Sequence, residues 1–420
     1  MGNLLSTFVD CAVNVCARTQ TTSQTNFLKG TKWESAKDLS RLARCRSRRQ
    51  CDRHAKRSSS RSKEKRREAA VRAKPSGGAM DGVKRVVAKC TVALLSLCIS
   101  AVVVVNLLWR RWRIGRGFFC MKPHVAPQIL LDPDLGTHSY IYLKNQGIKL
   151  HYVEKGDRDK PLMLLVHGFY ESWFSWRHQL QEFSSDYWVV AVSLRGYGDS
   201  ERPSKTSEYT LMKMVEDLRE FTLALGKEKC TFIGHDGGAV VGWVLVGKYP
   251  ELFQRFITCN GSHPLVYRTH LRKSFKQMKK AWYVFFNQMP YLPELCLAVN
   301  DYEELSRFYS EDNKNTEIFT DEVVEAYKYY FSQKGALSAA VNFYRNIDFM
   351  SSLHIPKIRV PTLIIWGREN TFLEAELAKL SAGECEDVQL KYIDGAGHFV
   401  QQQEPVYLNK LVWEYLSITQ

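Results

Sequence analysis

The chain has 420 residues, 45% of them hydrophobic, which is enough to bury a sizeable core and rules out a wholly disordered chain. Residues 1–89 hold 22 Lys and Arg against 7 Asp and Glu, a difference equal to the +15 of the whole chain, while residues 90–420 balance at 37 against 37. The basic charge belongs to the leader, so it points to no nucleic-acid partner for the main domain, and 11 scattered cysteines with no C-x-x-C pair give no disulfide framework.

The leader, residues 1–89, is expected to be disordered. Its densest basic run, Arg41 to Lys74, is poor in aromatic and branched apolar residues and cannot bury enough to order itself. A solvated tail is the simpler reading; a tract for acidic lipid or nucleic acid is the alternative. The opening MGNLLS fits the myristoylation pattern at Gly2, with Cys11 and Cys16 nearby as palmitoylation candidates. Met80, opening MDGVKRVV, offers a second start.

Residues 90–109, CTVALLSLCISAVVVVNLLW, form twenty uncharged residues, about the length that crosses roughly 30 Å of hydrocarbon as a helix. The segment lies too far from the start for a secretory signal and lacks a small-residue cleavage site, so it is read as an uncleaved, single-pass anchor, with the endoplasmic reticulum as the expected membrane. Lys84, Arg85 and Lys89 on one flank nearly cancel Arg110, Arg111, Arg113 and Arg116 on the other. The basic leader tips the balance towards a cytosolic N-terminus, with the main domain across the membrane.

The main domain is placed at residues 130–418. YIYLKNQGIKLHYVEKG reads as a hairpin, and PLMLLVHGF, WVVAVSLRGYGDS, CTFIGHDGG, RFITCNGSH, PTLIIWG and VQLKYIDGAGH supply six further strand candidates. Val215 to Leu225 shows the 3.6-residue periodicity of a helix facing a sheet. The alternation implies an α/β fold with a mostly parallel sheet and right-handed crossovers. Residues 264–356 break the rhythm with aromatic-rich helical patterns, as expected of a helical lid over the carboxyl ends of the strands. The Asn260-Gly261-Ser262 sequon follows a core strand, where a glycan would not fit.

Gly234-His235-Asp236-Gly237-Gly238 has the strand, G-x-nucleophile-x-G, helix form of a nucleophile elbow, whose glycines permit a sharp turn that exposes the central residue. An Asp among glycines is more often a plain turn. Here His167-Gly168-Phe169 ends another strand, so the Phe169 N–H can join that of Gly237 in an oxyanion hole. His398 follows the last strand, in the order nucleophile, acid, histidine. A serine esterase is excluded, since no Ser occupies the elbow.

With these strings in place, residues 130–418 resemble the α/β-hydrolase-fold epoxide hydrolases, most of all their membrane-anchored type; LLVHGFYESWFSWRHQL, VVAVSLRGYGDS, GHDGG, FSQKGALSAAVNFYRN and PTLIIWG carry the likeness. The resemblance implies that Asp236 attacks an epoxide carbon to form an ester, that His398 activates the water that hydrolyses it, and that Tyr283 and Tyr344 donate to the opening ring oxygen. It implies a hydrophobic, fatty-acid-derived epoxide as substrate, the bilayer as a partner, no nucleic acid and no cofactor.

Three positions depart from the family pattern. Asn370 stands where the triad acid is expected, with Glu369 and Glu374 as neighbouring substitutes out of register. Gly237 replaces a tryptophan after the nucleophile, which also weighs against a haloalkane dehalogenase, and Tyr170 replaces the proline of H-G-x-P. Alkylation therefore keeps its residues while ester hydrolysis loses its acid. The expectation is a slow hydrolase that accumulates the ester; the alternative is an impaired hydrolase fold that binds or senses a lipid.

Overall fold

A computed structural model describes residues 78–311, 318–348 and 353–418; the Gly2 reading and nearly all of the leader lie outside these residues. Helix α1, Gly78–Ile114, extends beyond both ends of the twenty apolar residues that point to it. With the short turn that follows α1, the Val86–Phe119 stretch is long and apolar enough to cross a membrane. One stripe of α1 is nevertheless covered: Ser96, Ser100 and Arg110 are buried, and Val92, Leu95, Ile99, Val103 and Leu107 are half-buried.

An eight-stranded sheet follows, in the order β1-β2-β4-β3-β5-β6-β7-β8. Strands β1 (Thr137–Leu143) and β2 (Ile148–Lys155) form the expected hairpin, and β2 pairs antiparallel with β4 (Trp188–Val192). From β4 onward all pairings are parallel, through β3 (Leu162–Val166), β5 (Cys230–His235), β6 (Phe253–Cys259), β7 (Thr362–Gly367) and β8 (Val388–Ile393). The inner strands β3, β4 and β5 are buried at every position, as strands covered on both faces must be.

Helices α2 (Arg177–Phe183), α3 (Leu211–Ala224) and α4 (Asp236–Lys248) alternate with these strands. The chain leaves β3 for β4 on one side and returns to β5 on the other, so the carboxyl ends of β3 and β5 meet where the strand order reverses, the usual place for a ligand in an open α/β sheet.

Between β6 and β7 run α5 (Pro264–Leu271), α6 (Phe275–Lys280), α7 (Trp282–Phe286), α8 (Leu292–Glu311), α9 (Asp321–Ser332) and α10 (Ala336–Arg345), with no strand among the described residues. Helix α8 is interrupted: Val299 to Tyr302 have non-helical dihedrals. The C-terminal part supplies α11 (Glu376–Ala382), which packs on β7 and β8, the short turn α12 (Val400–Gln403), and α13 (Pro405–Ile418), which packs on β8 and α2.

Candidate active site

Asp236 stands at the junction of β5 and α4 in the left-handed region, with φ 44°. A non-glycine residue held there carries about 1–3 kcal/mol of strain, which persists only where the surroundings enforce it. The flanking glycines are what allow it. A Cβ on Gly238 would lie 2.3 Å from the Val166 carbonyl oxygen, and one on Gly234 would lie 2.8 Å from the Ala239 nitrogen. The elbow can therefore press against the end of β3 only without a side chain at Gly238, and the chain can turn from β5 into α4 this tightly only without one at Gly234.

That contact brings Phe169 to the aspartate. Its N–H donates to Asp236 Oδ1 at 3.0 Å, and Oδ2 is left on the side of His398. All described peptide bonds are trans, and Tyr170, in the place of the family proline, takes φ 54° while its carbonyl accepts from the Tyr309 hydroxyl. Burial alone would raise the Asp236 carboxyl, but the hydrogen bond and charge of His398, the charge of His235 and the Phe169 N–H together hold it down at about 2.

His398 Nε2 lies 3.4 Å from Asp236 Oδ2. The group on its other nitrogen is the Asn370 side chain, whose Nδ2 is 3.1 Å from His398 Nδ1. Asn370 Oδ1 accepts from the N–H groups of Phe372 and Leu373 at 2.9 and 3.0 Å, which fixes the amide with its NH₂ towards the imidazole. The network thus assigns His398 Nδ1 as an acceptor and puts the neutral ring's proton on Nε2, facing the carboxylate. Glu369, weighed as a substitute acid, is exposed, and Glu374 is engaged with His270 and Ser274 at 2.8 and 2.6 Å.

Beneath the elbow lies a pair to which the sequence reading gave no role. Glu171, buried, accepts from the Gly168 N–H at 2.8 Å and from Gln401 and Gln402, and pairs with His235 Nδ1 at 2.7 Å. His235 Nε2 in turn donates to the His398 carbonyl at 2.8 Å. Burial opposes both charges, yet the mutual attraction wins: the Glu171 carboxyl is held below its ordinary value and the His235 imidazole above it. The pair ties the loop before Asp236, the loop after β3 and the backbone of His398 into one unit. Its only signal in the sequence was a glutamate among aromatics in GFYESW.

A cavity of about 310 Å³ opens beside Asp236, lined by Phe169, Gly237, Tyr283 and Tyr344 among mainly apolar neighbours. The Tyr283 and Tyr344 rings meet edge to face, 5.8 Å apart, and Phe169 lies 4.1 Å from Tyr344. Burial, with smaller contributions from neighbouring tyrosines and Asp236, holds both hydroxyls well above the ordinary tyrosine range, so both keep their protons. Tyr267 also lines the cavity; its hydroxyl is buried without a hydrogen-bond partner among the described residues, and nothing in the sequence set it apart from the other aromatics of this region. Gly237 is tightly packed: a Cβ there would lie 3.0 Å from the Phe169 ring, so a side chain at this position would require the ring to shift.

Residues 161–405 match the α/β hydrolase fold family. The chain is 38% identical over 331 residues to epoxide hydrolase 4 of Homo sapiens, covering 76% of this chain and 90% of that protein.

The chain belongs to the α/β-hydrolase fold, among its epoxide hydrolases.

Further relatives agree. It is 36% identical over 297 residues to epoxide hydrolase 3 of Xenopus tropicalis, covering 70% of this chain and 81% of that one. The crystal structure of an epoxide hydrolase from Bacillus megaterium in complex with an inhibitor superposes with a TM-score of 0.62 at 29% identity, covering 66% of this chain and all of the other. In this hydrolase Asp236 thus lies beside the Phe169 N–H and His398, and the Asn370 amide stands on the histidine's other nitrogen.

Proposed function

We propose that this hydrolase opens hydrophobic, fatty-acid-derived epoxides to vicinal diols through an ester on Asp236, and that release of the ester is its slow step. The observation that carries the reading is an ionised Asp236 beside one cavity with two protonated tyrosines, Tyr283 and Tyr344, in its wall. The helices between β6 and β7 then serve as the lid.

In the first step Asp236 Oδ2 attacks an epoxide carbon and the ring C–O bond breaks. The electron pair goes to the ring oxygen, which takes a proton from Tyr283 or Tyr344 as the charge develops. Oδ1, held by the Phe169 N–H, becomes the ester carbonyl oxygen.

In the second step water adds to the Asp236 ester carbonyl carbon, His398 Nε2 takes the water's proton, and the oxyanion is held by the N–H groups of Phe169 and Gly237. Breaking the acyl C–O bond releases the diol as an alkoxide, which takes the proton back from His398, and the water's second proton, left on the Asp236 carboxyl, returns to the tyrosinate formed in the first step, restoring the carboxylate and the tyrosine.

The Asn370 amide hinders this second step. A base at Nε2 needs the ring proton on Nδ1, and the hydrogen bond from Asn370 Nδ2 favours the opposite tautomer. The same feature favours the second reading, a hydrolase fold that binds a lipid without turning it over. The apolar lining of the cavity supports a hydrophobic ligand, and α1 supports anchoring at a membrane, for which we carry the endoplasmic reticulum.

The test is a panel of fatty-acid epoxides given to microsomes that contain the chain, with Asp236→Ala as control. Diol formation lost in the variant supports the hydrolase. Ligand binding with neither diol nor ester in the wild type would sink it in favour of the binder.

A further inference from the structure

Helix α1 meets two environments at once. Its covered stripe, from Val92 to Arg110, runs along the helices between β6 and β7. Ser96 Oγ donates to the Phe285 carbonyl of α7 at 2.7 Å. Val92, Leu95 and Ile99 join an apolar cluster with Val284, Phe285 and Tyr344, and Arg110 pairs with Glu303 and Glu304 of α8. From Val92 to Arg110 these contacts are 18 helical rises apart, about 27 Å of helix. That is nearly the roughly 30 Å of a hydrocarbon core. The helix is thus tied to its own domain near both ends of this length, which holds the apolar segment to the domain's surface.

The opposite face is bare and apolar. Leu94, Leu97, Val102, Val105, Leu108 and Trp109 are exposed, Val102 at 71%, and no charged residue occurs from Cys90 to Trp109. An in-plane anchor usually shows one polar, charged face to water. Here that side is covered by protein instead. Exposed Trp112, with Arg111, Arg113 and Arg116, places interfacial residues at one end, and Lys89 stands at the other. So continuous an apolar face, flanked by tryptophan and basic residues, fits lipid hydrocarbon below charged headgroups.

We propose that α1 lies along the lid as an in-plane anchor, its outer face in the hydrocarbon of one leaflet. The leader and the hydrolase domain then stay on the same side of the membrane, in place of the crossing expected from hydropathy. The cavity wall carrying Tyr283, Val284 and Ile347 shares its cluster with α1 and is thereby held against the lipid surface.

The test does not depend on epoxide chemistry. The full chain, tagged at both termini, is placed in sealed microsomes and treated with protease from outside. Both tags are expected to share one fate and the chain to stay with the membrane in high salt; one tag digested and the other protected, or release by salt, overturns the proposal. A second arm uses Val102→Glu with Val105→Glu, on the outer face only. It is expected to raise the soluble fraction at least tenfold with the domain's thermal transition intact. A variant that stays membrane-bound, or that becomes soluble but unfolded, counts against it.

Discussion

Asn370→Asp should speed the proposed ester hydrolysis and remove any accumulation of the ester on Asp236. The replacement is isosteric: one carboxylate oxygen inherits the bonds from the Phe372 and Leu373 N–H groups, and the other takes the place of Nδ2, 3.1 Å from His398 Nδ1. The acceptor then draws the ring proton to Nδ1 and frees Nε2 to act as base. In a serine-protease triad the reverse exchange costs roughly 10⁴ in turnover. At 1.36 kcal/mol per decade this is about 5.4 kcal/mol of transition-state stabilisation. A gain of roughly 10²–10⁴ in ester hydrolysis is expected here, with alkylation changed less than about threefold. Quenched-flow diol formation and intact mass of the protein read the two steps separately. The wild type should show a burst of mass on Asp236 followed by slow diol release, and the variant no burst. If the folded variant hydrolyses no faster, or the wild type turns over rapidly with no adduct, the tautomer argument is wrong.

Tyr283→Phe and Tyr344→Phe should each slow alkylation by about 10²–10³ and leave decay of a preformed ester unchanged, checked by single-turnover mass spectrometry. Because Asp236 is held down at about 2 and both hydroxyls are held up by burial, the alkylation rate should be flat from about pH 4 to about pH 9; a fall below pH 6 would contradict the assigned charge state. Glu171→Gln leaves the buried His235 charge uncompensated and should cost about 3–5 kcal/mol, a Tm drop of roughly 6–10 °C by calorimetry. Glu171 stabilises above its ordinary 4.5 and loses this as pH falls through its lowered value, whereas His235 stabilises below 6.5 and loses this as pH rises through its raised value. The gap in Tm between wild type and variant should therefore be widest between 4.5 and 6.5 and close on the alkaline side.

The sequence by itself determined the strands and the elbow, because both are local. Buried runs such as LMLLV and TLIIWG have one conformation open to them in a covered sheet, and Gly238 announces a backbone contact that leaves no room for a side chain. It also showed that Asn370 is not an acid. Only the tertiary structure decided what this means, since the direction of the amide depends on two backbone N–H groups beyond it and on a histidine 28 residues away. Glu171 and His235 are 64 residues apart, and neither position carries a periodicity that would pair them. Helix α1 marks the same limit. Hydropathy averages over all sides of a helix, so an apolar run reads as one environment, whereas the fold gives one side to the helices around Tyr283 and leaves the other bare.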